Sequence, residues 1–198
     1  MTSITESTTD RSRRPGRPGT AVTVVGVLVA LCCVGFAVVN VVFEITDRFA
    51  DGRYAEYAAA FTVMNWLVVA LKLIGAGVAM LSIAGRPRLV SHAVLTVLLW
   101  GAFGTLALYA AGSVAEAIGI ILGLTGTVDE IDPAGIGYVS FFILVATGYG
   151  VLAVSHARRH GARKGLAVLG VLGAPVVLGL VLVVIPKLLA ALGLMPPL

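Results

Sequence analysis

Charged side chains are scarce in this chain: Asp, Glu, Lys and Arg make up 12% of its 198 residues, whereas 59% are hydrophobic. Soluble domains carry about 25% charged and about 45–50% apolar residues. A soluble fold of this length would have to bury several apolar runs of about 20 residues each, which is too many for so small a domain. The composition therefore argues against a soluble protein and indicates an integral membrane protein.

Cysteine is also rare, and its placement argues against a disulfide framework. The two cysteines, Cys32 and Cys33, are adjacent in the first apolar run. Neighbours on a helix point about 100° apart, which places them poorly for a bridge. Neither lies in a CxxC pair or a zinc-ligand spacing. We expect two small side chains buried within a helix.

Motifs of soluble enzymes are absent from the sequence. It contains no phosphate-binding loop, no GxGxxG after a strand, no GxSxG and no HExxH. Ser140 and Ser155 have no matching histidine–carboxylate pair. The basic residues form no nucleic-acid-binding motif with interleaved aromatics. We therefore predict no catalytic residue, no cofactor, no metal site and no nucleic-acid partner, and so a protein that is not an enzyme.

Five long apolar runs dominate what is present. We predict membrane spans at about residues 21–43, 58–84, 92–111, 134–155 and 165–192. A helix needs about 20 residues to cross a hydrocarbon core about 30 Å thick. The expected fold is all-α, a polytopic integral membrane helical bundle of residues 21–198. No internal repeat that would indicate two inverted halves is visible.

The segments that connect the apolar runs, which we call gaps, alternate in the sign of their charge. Arginines precede the first run, the first and third gaps are acidic, and the second and fourth gaps are basic. Because basic loops stay in the cytoplasm, we predict a multi-pass protein of the cell membrane with its N-terminus inside and its C-terminus outside. Residues 1–20 are expected to be a disordered basic tail in the cytoplasm. The Ala-, Gly-, Val- and Arg-rich usage suggests a GC-rich bacterial genome.

Local signals set several helix ends. Ser91 is placed to cap the third helix, and Asp132-Pro133 to begin the fourth. Gly112, followed by the capping-box spacing of 113–116, favours a break after the third span and a separate short helix on the outer face. The alternative is one long helix from residue 92 to 124.

Further signals concern the second half of the chain. A basic loop is expected from His156 to Lys164. Pro175 and Pro186 should kink or interrupt the fifth run.

Lys72 is the sharpest anomaly because it lies near the middle of the second span. At 1.5 Å per residue it is about 21 Å from either end, where a lysine costs about 2.5–3.5 kcal/mol on insertion scales. Thr147 and Tyr149 fall at the same level, and Asn65 is a membrane-depth amide. We predict an intramembrane polar site of Lys72, Tyr149, Thr147 and Asn65, with Lys72 and Tyr149 as its polar pair. The alternative is a structural lysine satisfied by carbonyls and hydroxyls.

The histidines give a weaker signal. His92 and His156 fall at the cytoplasmic ends of neighbouring helices, which in principle suits the two axial ligands of a haem. His156 and His160, four residues apart, have a spacing that can hold a metal. The interpretation we favour is that all three are solvated residues beside arginines.

Glycine is abundant, with 24 residues. Small residues on the spans permit close helix packing or a face for a partner helix. In its glycine-rich rhythm, the stretch Leu71 to Tyr109 is loosely similar to small four-helix bacterial membrane proteins of the DoxX type. The resemblance covers two helices, Lys72 departs from it, and no residue role is carried over.

Three functional hypotheses follow. The first is a non-catalytic accessory or complex-forming membrane component, whose partners are the lipid bilayer and other membrane proteins bound through glycine-rich helix faces. The second is a small transporter or channel with Lys72 lining the path. The third, more distant, is a haem-binding redox protein.

Overall fold

Five α-helices account for nearly all of the part of the chain that the computed structural model describes, residues 17–48, 58–84, 90–126 and 133–193. These residues contain no strand. All five helices are long and apolar enough to cross a membrane, which confirms the all-helical fold and fits a multi-pass membrane protein. The helices are α1 (Thr20–Ile45), α2 (Ala58–Ile83), α3 (His92–Ile121), α4 (Pro133–His160) and α5 (Lys164–Ala191).

The helices run in alternating directions between two ends of the bundle. One end holds the first turns of α1, α3 and α5 and the last turns of α2 and α4, as contacts between these turns show. It carries Arg158, Arg159 and Lys164, and we call it the basic end. The opposite end, which carries Glu44 and Asp47, is called the acidic end.

Helices α1 to α4 surround the core, and α5 packs mainly on the outside of α3. Leu95, Leu99, Tyr149 and Leu152 are each at most 1% exposed. In α5, by contrast, only 6% of the residues from Lys164 to Val181 are buried. The bundle is therefore a four-helix core with a fifth, peripheral helix.

Helix α3 is continuous through Gly112, so the predicted break and the separate short helix are wrong. Its end lies at Gly123, which adopts a positive φ of 68°. There the N–H of Leu124 donates to the carbonyl of Gly119 at 2.9 Å, and the N–H of Gly123 donates to that of Ile120 at 3.0 Å. These two bonds form a Schellman motif, which satisfies the last carbonyls. A glycine inside an apolar helix costs only about 1 kcal/mol, so Gly112 alone does not end it.

Helix α5 is not interrupted at Pro175 or Pro186, contrary to one of the two outcomes expected. Pro175 has no N–H, so the carbonyl of Val171 loses its usual partner one turn earlier. That carbonyl lies against α3, where a Cβ added to Gly104 would be 2.7 Å from the oxygen of Val171. A neighbouring helix that approaches a freed carbonyl this closely is one reason membrane helices tolerate proline.

The other predicted helix ends agree in part. Ser91 caps α3 by accepting a hydrogen bond from the N–H of Val94 at 3.3 Å, and Pro133 is the first residue of α4. Helix α1 begins at Thr20. The prediction of a disordered tail falls mainly on residues 1–16, which lie outside the described residues, as does Asp132.

The basic loop between the fourth and fifth spans is shorter than predicted. Helix α4 continues to His160, and the turn is confined to Gly161, Ala162 and Arg163. Gly161 ends the helix with a φ of 59°. As a result, His156 and His160 belong to the last turns of α4 and not to a loop.

Candidate functional site

Lys72 lies against aromatic rings within the bundle. Its Nζ is 4.7 Å from the ring centre of Phe36 on α1 and 4.5 Å from that of Phe142 on α4. Helical side chains lean towards the N-terminus of their own helix, which for α2 is the acidic end. The ammonium is half-buried and has cation–π contacts with both rings, and among the described residues it has no hydrogen bond or ion pair.

Tyr149 pairs with a different residue from the one predicted. Its hydroxyl is 3.3 Å from the sulfur of Cys33 on α1, and the residue is 1% exposed. Gly75 makes room for this hydroxyl, because a Cβ there would be 2.6 Å from the tyrosine oxygen. The structure records no hydrogen bond between Tyr149 and Lys72. The expected polar pair is therefore wrong, since the lysine leans away towards the acidic end.

Thr147 is not brought to the other three residues. It is exposed on the outer face of α4, and its hydroxyl donates to the carbonyl of Ile143 one turn earlier at 2.8 Å. The prediction placed Thr147 beside Lys72 because the two residues have the same predicted depth. The position of Thr147 around the helix axis, however, turns its side chain outwards.

Asn65 joins α2 to α1. Its Nδ2 donates to the backbone carbonyl of Asn40 at 2.8 Å and to Oε2 of Glu44 at 3.0 Å. The side-chain amide of Asn40 in turn donates to the carbonyl of Phe36 at 2.8 Å. Polar bonds between membrane helices of this kind contribute about 0.6–2 kcal/mol each. This group therefore holds the two helices together near the acidic end.

The predicted polar site left out the residues of α1 that complete this polar and aromatic set. Cys33, Phe36, Asn40 and Glu44 recur at spacings of three and four, so they share one face of the helix. That periodicity was readable in the first apolar run. It would have indicated one face of α1 turned towards α2 and α4.

One groove on the bundle lies near its basic end and away from Lys72. It has a volume of about 540 Å³ and is lined at the basic end by Val22 of α1 and by Ser155 and Arg158 of α4, among others. Tyr149 and Asn65, by contrast, are buried among packed side chains.

The histidines, by contrast, come together at the basic end. The ring of His160 stacks on those of His92 and His156, with centroid distances of 3.9 and 4.2 Å, and the latter two rings are 5.8 Å apart. One ring nitrogen of each histidine lies within 4.8 Å of the others. His156 is 1% exposed.

This arrangement does not fit a haem. A haem needs two imidazoles that face each other across the porphyrin plane. Here His160 stacks on both His92 and His156, and the three rings contact one another without a gap between them. The haem hypothesis is therefore not supported by the positions of these residues, and the interpretation of His156 as a solvated residue is wrong.

No family model, no curated protein and no solved structure matches the chain.

Proposed function

We propose that this protein is a non-catalytic component of the membrane that works by associating with other membrane proteins. The observation that carries the proposal is that the glycines within its helices form two sets. Those of the inner set lie where another helix of the bundle approaches closely, as at Gly75 and Gly104. Those of the outer set, which includes Gly35, Gly77 and Gly179, have no atom within 4 Å of the position that a Cβ would take.

The outer glycines lower the stability of their helices, and no contact within this chain compensates for that loss. Glycine in the middle of a helix is less stable than alanine by about 0.5–1 kcal/mol. Membrane helices use small residues where another backbone approaches. Because Gly35, Gly77 and Gly179 are exposed on α1, α2 and α5, a helix of another protein would supply the contact that this chain does not.

The intramembrane polar residues support a non-catalytic role. The hydroxyls of Tyr149 and Thr147 and the amide of Asn65 each have a partner within the chain. Nucleophilic or acid–base catalysis needs a reactive group and a base that face a space for substrate. Tyr149 and Asn65 are buried and Thr147 faces outwards, so these side chains do not line a common space. Their bonds within the chain suit a rigid membrane scaffold.

The test is purification in mild detergent from native membranes at native expression level. The wild-type protein should elute as a complex larger than a monomer. Of the variants Gly35→Leu, Gly77→Leu and Gly179→Leu, at least one should release the partner while its own amount in the membrane stays unchanged. Val176→Leu is the control, because it enlarges an exposed side chain on α5 where no glycine is lost. A lone monomer, or partners retained in all three variants, would contradict the proposal.

The same proposal places the basic end in the cytoplasm and the protein in the cell membrane. The cluster of positive charge around Arg158, Arg159, Arg163 and Lys164 supports this orientation through the positive-inside rule. Reporters that are active only in the cytosol or only outside it, fused to each terminus, test it. The N-terminus should report the cytosol and the C-terminus the outside, and the same answer at both termini would contradict five crossings.

A second candidate is a small transporter or channel, and one feature of Lys72 favours it. The ammonium has ring contacts but no acceptor among the described residues, so a bound anion would complete its shell. Chloride efflux from proteoliposomes is the test. Lys72→Met should abolish efflux, whereas the lipid-facing control Thr147→Val should retain it. Equal efflux in both variants, or none in the wild type, dismisses this candidate.

A further inference from the structure

We infer that the three histidines at the basic end form a binding site for one first-row transition-metal ion, for which Zn²⁺ is the probe. His92, His156 and His160 are all the histidines that the chain contains. They come from two helices that meet at this end, and one ring nitrogen of each lies within 4.8 Å of the others. This site is independent of the association proposed above.

The spacing on α4 suits a metal. His156 and His160 are four residues apart, so they lie on one face of the helix, as the two histidines of helical zinc motifs do. His92, the first residue of α3, approaches the same face from the neighbouring helix. Three imidazoles are the protein ligands of zinc sites that keep a fourth position for water.

The hydrogen bond of His160 fixes which of its nitrogens is available. Nδ1 lies 3.0 Å from the backbone carbonyl of His156, and because a carbonyl only accepts, Nδ1 must carry the hydrogen. The lone pair of His160 is then on Nε2. Metal-bound histidines commonly donate their other ring N–H to a backbone carbonyl in this way, which orients the ring.

His156 supplies the second, independent observation. Its Nε2 is 3.4 Å from the carbonyl of His92, a long contact in which the nitrogen must again be the donor. The lone pair then lies on Nδ1, which is buried and has no hydrogen-bond partner. A buried polar atom without a partner carries a cost in free energy. A metal ion at this position would remove that cost.

The surrounding charges define the class of ion. His156 and His160 lie near the C-terminus of α4, where the helix dipole favours a cation. The guanidinium of Arg159, which lies close enough for its charge to act on His156 and His160, bonds to backbone carbonyls, with Nε 3.3 Å from that of Ser155 and Nη2 3.0 Å from that of Ser82 on α2. The cluster contains no carboxylate. Neutral imidazoles without carboxylates suit zinc, copper or nickel, and not calcium or magnesium.

Binding requires the rings to turn. Zinc–nitrogen bonds of about 2.0–2.1 Å in a tetrahedron place the ligand nitrogens about 3.4 Å apart. In the structure one nitrogen of each ring lies within 4.8 Å of the others, and the ring of His160 is stacked on the other two rings. His92 is exposed and has no ring hydrogen bond among the described residues. Its ring can therefore rotate towards the other two rings. Because His92 is exposed, an ion can reach the cluster from the aqueous side at this residue.

The experiment uses the full chain in detergent, purified without a polyhistidine tag and stripped with chelator. Titration with ZnCl₂, followed by calorimetry, should show one ion per chain. His156→Gln and His160→Gln should each raise the dissociation constant for Zn²⁺ about tenfold or more, because loss of a ligand costs at least as much affinity as loss of a residue that supports one. Zn²⁺ should also raise the unfolding temperature of the wild type, and that of the two variants by less at the same concentration. Cys32→Ser, the control for thiol ligands, should bind like the wild type.

Replacement of Zn²⁺ by Co²⁺ in the wild type gives a second measurement that needs no variant. Visible absorption bands of nitrogen-coordinated Co²⁺ should appear and saturate at one equivalent. The inference is overturned by the absence of these bands, by the absence of saturable Zn²⁺ binding, or by binding of unchanged affinity in folded His156→Gln and His160→Gln proteins.

Discussion

The middle of the bundle and its basic end differ in how their polar side chains are satisfied. In the middle, Tyr149 bonds to Cys33 and Asn65 bonds to α1, although the buried indole N–H of Trp100 has no hydrogen-bond partner among the described residues. At the basic end, three imidazoles meet and His156 keeps a buried nitrogen without a partner. The contrast separates polar residues that hold helices together from the histidines of the inferred metal site. The four changes below test whether the contrast is real.

The largest effect is expected where the middle is most closely packed. Gly75→Leu would place side-chain atoms where the hydroxyl of Tyr149 now lies. Overpacking of this kind costs about 1–3 kcal/mol, so the unfolding temperature in detergent should fall. At Gly77, two residues away on the same helix, an added Cβ meets no atom within 4 Å, so Gly77→Leu should leave the unfolding temperature unchanged. Equal effects of the two substitutions would show that the packing around Tyr149 is not tight.

Asn65→Leu should have the next largest effect. It removes the bonds to the carbonyl of Asn40 and to Glu44, and it leaves that carboxylate without its donor. The free energy of unfolding, measured by denaturant titration in micelles, should drop by about 1–2 kcal/mol. Thr147→Val is the control, because its hydroxyl bonds only within its own helix. No loss at position 65 would mean that these bonds do not hold α1 to α2.

Lys72→Met should change stability by less than about 1 kcal/mol. The substitution loses two cation–π contacts, each worth about 0.5–2 kcal/mol, but it also removes the cost of a charge within the membrane. These terms oppose each other. Denaturant titration of Lys72→Met beside the wild type measures the balance. A loss of several kcal/mol would instead reveal a strong partner for the ammonium, and the middle of the bundle would then contain a site.

The smallest effect is expected for His160→Gln without metal. The side chain is only half-buried, and its one hydrogen bond is to its own helix. In chelator, the unfolding temperature should match that of the wild type, since such substitutions stay within about 0.5 kcal/mol. Differential scanning calorimetry checks this. A clear loss in chelator would assign the ring a packing role and would weaken the contrast between the two regions.

Hydrophobic run length and charge pattern were enough to predict the five helices, because the solvent of a membrane protein sets the length of its spans. They did not predict which side chains meet. Lys72, Thr147 and Tyr149 lie at one depth, but only helical phase decides that Thr147 faces outwards. The histidine cluster depended on α4 continuing beyond residue 155, and no span-length rule extends a helix past the membrane core. Local signals also led to a wrong prediction, the helix break at Gly112. A glycine indicates a helix end only where the apolar pattern of the helix stops after it.

The attachment of α5 to α3 through Gly104 and Val171 has a consequence for how the protein is made. Because α5 is the last helix along the chain, the ribosome synthesises it after the four helices of the core. Until then, the strip of α3 around Gly104 is open to lipid. A nascent chain released before residue 164 would be a four-helix protein in which the backbone of α3 around Gly104 lacks its neighbouring helix. Membrane proteases that degrade incomplete proteins could recognise the truncated chain by this exposed backbone.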